Sequence, residues 1–141
     1  MSLCHSDQFI TLNSSFMYNP FKQFVDYLRY REAVKKADKA HAQTGERYYV
    51  MPALVPEGSP SGIKLLVMDR FNFRKLKQKG YINNRANVRD LVSECFYCTP
   101  YRNGDGYLDA RGRRIKLSLY FSYCQTTRTL RKLKKHGKSK K

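Results

Sequence analysis

Acidic residues are scarce in this chain: 11 Asp plus Glu stand against 28 Lys plus Arg, a formal charge of +17 over 141 residues. Long apolar runs are missing as well. The longest uninterrupted aliphatic stretch is Leu65 to Met68, far short of the roughly 20 residues that span a bilayer. The N-terminus has neither a basic lead nor an apolar stretch resembling a signal peptide. These absences predict a soluble, cytoplasmic protein with no membrane partner. The four cysteines (Cys4, Cys95, Cys98, Cys124) are expected to be thiols in that reducing setting. Catalytic signatures are lacking too. There is no glycine-rich phosphate loop and no nucleophile elbow, and the acids of the second half (Asp90, Glu94, Asp105, Asp109) have no spacing that converges on a metal. The chain therefore reads as a non-enzyme without cofactor or metal.

Hydrophobic residues at 41% and aromatics at 13% are enough to offset ordering entropy over at least part of the chain. The length suits one domain. Charge is distributed unevenly along it. Residues 1–69 hold eight basic and seven acidic groups, a net of +1, and residues 70–141 hold 20 basic and four acidic groups, a net of +16. Eight of those basic groups follow Gln125 with no acid among them. Solubility alone would be served by charge spread over the whole surface, so this asymmetry points to a polyanion partner.

The periodicities predict an α+β fold, with an irregular arm over 1–18, a single domain over 19–125 and a disordered basic tail over 126–141. Asn19 and Pro20 open a long helix, Phe21, Phe24, Val25 and Leu28 form its apolar stripe, Ala33, Ala37 and Ala40 continue it, and Gly45 stops it. The small alanines permit close approach of another element. Arg47 to Leu54 and Ile63 to Met68 read as a hairpin with a loose tip, which must lie on the first helix or recruit a third strand. A basic helix pair follows. Asp69 caps a helix from Arg70 to Lys79 closed by Gly80, and Asn87 caps a helix over 88–98 whose Val88, Leu91, Val92, Cys95 and Phe96 share a face. Thr99-Pro100 ends it. Residues 113–124 fit either a strand, with Ile115, Leu117, Leu119, Phe121 and Tyr123 alternating, or a helix, with Leu117, Tyr120, Phe121 and Cys124 on one face and a continuation through Leu130 and Leu133. That continuation favours the helix.

The leading functional candidate is the helix from Arg70 to Lys79. Arg70, Arg74 and Lys77 share one face, Phe73 and Leu76 another, and Lys75 and Lys79 flank them. Cations repeated on a rigid element neutralise successive phosphates and release counterions. Arg85, Arg89, Arg113 and Arg114 extend the set, and Arg131, Lys132, Lys134 and Lys135 make the tail an electrostatic arm. Major-groove reading by a helix-turn-helix fits poorly, because the second helix carries Asp90 and Glu94 against Arg89 alone and the linker from Gly80 to Ala86 is long. Backbone-directed binding to DNA or RNA is the better reading. The alternative is a protein-interaction or inhibitor module whose basic face covers an acidic protein partner.

Three further patterns have bland readings. Cys95-Phe96-Tyr97-Cys98 is a single CxxC without the second pair that structural zinc needs, and it ends a helix, whereas redox motifs of the thioredoxin kind begin one. Asn103-Gly104-Asp105-Gly106 resembles the middle of a calcium loop, but Tyr101 and Gly112 stand where its terminal carboxylates belong, so it reads as a turn. Tyr97, Tyr101, Arg102 and Tyr107 interleave aromatics with a cation, which suits stacking on unpaired bases and suits packing equally.

The stretches Met68-Asp69-Arg70-Phe71-Asn72-Phe73-Arg74-Lys75-Leu76-Lys77 and Glu94-Cys95-Phe96-Tyr97-Cys98-Thr99-Pro100-Tyr101-Arg102-Asn103-Gly104 resemble those of small basic proteins encoded on mobile elements of gut bacteria. The resemblance spans roughly residues 30–108. It implies an accessory-genome origin and carries over no activity and no site residue.

Overall fold

The computed structural model describes residues 18–54, 63–82, 85 and 87–139. The expected arm up to residue 17 and the loose hairpin tip at 55–62 lie outside the described residues. Helix α1 spans Pro20–Thr44. Asn19 Oδ1 accepts the amides of Phe21 and Lys22, and Pro20 occupies the first helical position, where its missing N–H matters least. At the other end Gly45 adopts φ 78°, and its N–H reaches His41 O at 2.7 Å. A side chain there would also collide with the Arg102 guanidinium, 2.5 Å from an added Cβ.

The hairpin strands are β1 (Tyr49–Pro52) and β2 (Leu65–Met68), antiparallel with Tyr49 opposite Met68 and Pro52 opposite Leu65. The third strand, β3, is Tyr97–Cys98, which pairs with the other edge of β1 in the order β2-β1-β3. Pro52 stands beyond the end of β3, so its missing N–H removes no bond from that ladder.

Both faces of this small sheet are covered, which is why its strands read as nearly continuous apolar runs. Against one face lie α1 and a C-terminal helix, α4 (Ala110–Ser139), in a core of Tyr30, Ala33, Ala37, Val50, Phe96, Tyr97, Tyr120 and Cys124. Against the other lie α2 (Arg70–Gln78) and a single turn, α3 (Leu91–Glu94), with Tyr49, Met51, Met68, Phe73, Ile82, Leu91, Cys95 and Cys98 between them. Tyr49, Val50 and Met51 alternate between the two cores, as strand geometry requires.

Asp69 caps α2 as expected, accepting the Asn72 amide at 2.7 Å. Gly80 (φ 83°) closes it through bonds from Gly80 N to Lys77 O and from Tyr81 N to Leu76 O, both about 3 Å, the pattern of a left-handed helix stop. Phe73 anchors the helix, its burial worth about 2 kcal/mol.

Three expectations need correction. The buried stripe of α1 is Asp26, Tyr30, Ala33 and Ala37, whereas Phe21 (73% exposed), Phe24 and Leu28 face outward. Asp26 is buried because the fold brings it cations: Arg128 from α4 and Arg29 bond its carboxylate, Tyr18 OH donates to it, and Tyr120 OH donates to its backbone carbonyl at 2.7 Å. The helix expected over 88–98 is a 3₁₀ turn (Val88–Asp90) followed by α3, and the chain then becomes β3. A continued helix would leave the second edge of β1 unpaired, while the extended chain sends Phe96 and Tyr97 to one core and Cys95 and Cys98 to the other. Residues 113–124 are helical, which agrees with the favoured of the two readings. Tyr120 and Cys124 are buried, Leu117 and Phe121 pack beside them, and Ile115 and Leu119 are exposed. The tail expected to be disordered continues α4 as far as Ser139, in keeping with the good helix formers Leu, Arg and Lys that fill it.

Candidate nucleic-acid interface

The segment that follows α1 carries Arg47 into the protein, where it is almost fully buried. Its Nε donates to Thr99 O and one Nη to Gly106 O, each at 2.8 Å, and the same Nη contacts Cys98 Sγ at 3.2 Å. The guanidinium lies 4.4 Å from the Tyr101 ring centre and 5.6 Å from that of Tyr49. Among the described residues no carboxylate pairs with it.

Arg47 forms part of the wall of an open groove of about 680 Å³, lined also by Glu46, Asp69, Arg70, Phe71, Arg74 and Tyr101. A second depression of about 500 Å³ shares Glu46, Arg47 and Tyr101 with it and adds Arg102 and Asn103. The two adjoin at these three shared residues and together make the candidate channel. Of its two acids, Asp69 spends an oxygen on the α2 cap and Glu46 lies exposed at the rim.

The channel is held by local geometry. Tyr101 N bonds Asp105 O at 2.8 Å and Gly104 N bonds Tyr101 O, which closes a turn through Gly104 and Gly106, both with positive φ. Asn103 and Asp105 hydrogen bond within that turn at 3.0 Å. They therefore act as turn formers, and among the described residues no group of three or more His, Cys, Asp or Glu is placed to hold a metal. Arg102 folds back to donate to Thr44 O at 2.8 Å, a cation on the C-terminus of α1.

The candidate cations are not gathered into one patch. Arg70 and Arg74 line the groove one helical turn apart, and neither meets a carboxylate among the described residues. Lys75 sits 4.6 Å from the Phe71 ring centre, Lys77 is half-buried, and Lys79 is exposed at the end of α2. Arg85 and Arg89 are exposed between α2 and α3. Arg113, Arg114, Arg131, Lys132 and Lys134 belong to α4, on the opposite side of the sheet, with Arg113 5.6 Å from the Tyr97 ring centre. The position of Lys135 is on α4, farther along the same helix. Among the described residues helix-turn-helix geometry is absent, since α3 is a single turn.

Of the interleaved aromatics, Tyr97 is buried, while Tyr101 (43% exposed) and Tyr107 are open. Sequence reasoning missed Phe71, 67% exposed on the groove wall. It missed Arg47 as well, which belongs to the near-neutral half of the chain. The available signal was a lone arginine opening a run of strand formers.

Comparison with protein-family models, with curated proteins and with solved structures gives no match.

Proposed function

We propose that this protein is a non-enzymatic nucleic-acid-binding accessory protein whose basic groove takes a single-stranded segment. The observation that carries this reading is the pairing of unneutralised cations with exposed rings in one groove: Arg70 and Arg74 with Phe71 and Tyr101, and Arg102 in the adjoining depression. Arginines one helical turn apart suit adjacent phosphates, and an exposed ring in the same groove offers a stacking surface, which is worth about 1–3 kcal/mol per base. Arg47 behind Tyr101 adds fixed positive charge and holds the ring in place. The cations of α4 supply a second, sequence-independent attraction from the far side of the molecule.

The test is fluorescence anisotropy with labelled single-stranded and duplex oligonucleotides at low salt. The double substitution Arg70→Ala, Arg74→Ala is expected to weaken binding of both by at least tenfold. Tyr101→Ala is expected to weaken the single strand more than the duplex. Binding that is absent at low salt, or unchanged in the arginine variant, would overturn the proposal. Purification with a stoichiometric acidic protein and no nucleic acid would favour an interaction module instead.

A further inference from the structure

The CxxC segment lies where two buried cations meet. Cys95 and Cys98 are both fully buried in the same core, and the Cys95 thiol donates to Val92 O at 3.4 Å. From the groove side Arg47 contacts Cys98 Sγ at 3.2 Å. From α4 the buried Lys116 reaches across the sheet to donate to Val92 O at 2.6 Å and Cys95 O at 2.9 Å. Neither cation pairs with a carboxylate among the described residues. The other ionisable groups that act on the pair are the tyrosines Tyr30, Tyr49 and Tyr97, all neutral at ordinary pH. Two buried positive charges without an acid stabilise a thiolate, and here they replace the helix N-terminus that usually does so in CxxC sites. The neighbouring Cys95 thiol, followed by Arg47 and Lys116, holds Cys98 below its ordinary thiol value, while the neighbouring Cys98 and burial push Cys95 up, and Cys95 keeps its proton on Val92 O. One sulfur is set as nucleophile and its neighbour as the protonated resolving thiol.

We propose that Cys95 and Cys98 form a redox-active dithiol that hydroperoxides oxidise to a reversible disulfide. The Cys98 thiolate attacks one oxygen of hydrogen peroxide: an S–O bond forms, the O–O bond breaks, and hydroxide leaves to be neutralised by solvent. The sulfur of Cys95 then attacks the resulting sulfenic acid. An S–S bond forms, the S–O bond breaks, and water departs with the proton of Cys95. Two thiols lose two electrons and one peroxide becomes two waters. Cys98 is separated from the groove by the guanidinium of Arg47, which lines it, and this is the short route for a small oxidant.

The test treats the full chain with hydrogen peroxide at mildly acidic pH and maps the tryptic peptide Asp90–Arg102, which holds both cysteines. The expected product is that peptide lighter by two hydrogens, restored by dithiothreitol, and formed about tenfold faster in the folded chain than in guanidinium. Burial alone would protect the folded chain and reverse that order. In Cys95→Ser, dimedone is expected to label Cys98; in Cys98→Ser, Cys95 is expected to stay unlabelled. Faster oxidation in guanidinium, no disulfide in the folded chain, or dimedone on Cys95 would overturn the proposal.

Discussion

Asp26 shows how one side chain decides the packing of two helices. It is a fully buried carboxylate on α1, and Arg128 of α4 reaches it with two nitrogens, one at 2.8 Å from Oδ1. Removing one partner of such a pair leaves a charge poorly solvated and costs about 3–5 kcal/mol. Asp26→Ala is therefore expected to destabilise the fold by about 3 kcal/mol or more in urea unfolding, and a loss below about 1 kcal/mol would show that α4 is held by its apolar contacts alone. The buried tyrosines make a second prediction. Burial raises Tyr18, Tyr30, Tyr97 and Tyr120 above the ordinary value of 10.0, Tyr30 to about 12. Below pH 10 folded and unfolded chains hold these protons equally, so the contribution to stability is complete. Above it the unfolded chain releases them first, and stability is lost as pH rises from 10 toward 12. Far-UV dichroism and tyrosinate absorbance should change together in that window. Smooth titration of every tyrosine near 10 with the fold intact would contradict this.

Among the elements, those bounded by local chemistry were legible in the sequence and those decided by pairing were not. Asn19-Pro20 and Gly45 bracket α1, and Asp69 and Gly80 bracket α2, because caps and left-handed stops act within a few residues. The apolar periodicity of residues 88–98 is genuine, yet the free edge of β1 takes Tyr97 and Cys98, and no local signal reports a strand edge more than 40 residues away. The exposed Phe21, Phe24 and Leu28 stripe misled for a related reason: Asp26 is polar by itself and becomes a core residue only beside Arg128. In the site, Arg70 and Arg74 were legible from helical spacing. Tyr101 and Arg102 were legible as aromatics interleaved with a cation, but Arg47 and Phe71 were not, and it is the β1–β3 pairing that brings residues 46–47 beside 99–102. For α4 the expectation concerns its end. Deleting residues 130–141 removes seven basic groups and keeps Arg128. Stability in urea is expected to stay within about 0.5 kcal/mol, since Leu130 and Leu133 are exposed. Nucleic-acid affinity should fall while its dependence on Arg70 and Arg74 persists.

At the scale of the whole molecule, the charge of +17 is divided by the sheet, with α2 and the groove on one side and α4 on the other. One side combines cations with exposed rings and a channel; the other is a long basic helix. No helix among the described residues is long and apolar enough to cross a membrane. This division predicts two separable contributions to binding: a local one that recognises unpaired bases and a diffuse one that only attracts phosphate. Salt dependence distinguishes them, because each neutralised phosphate on a single strand adds about 0.7 to the slope of log K against log salt. The decisive measurement is that slope for a single-stranded oligonucleotide, in the unaltered chain and in Arg70→Ala, Arg74→Ala. A groove that seats phosphates on these two arginines predicts a slope shallower by about 1.4 in the variant. Parallel slopes with equal affinities would contradict it.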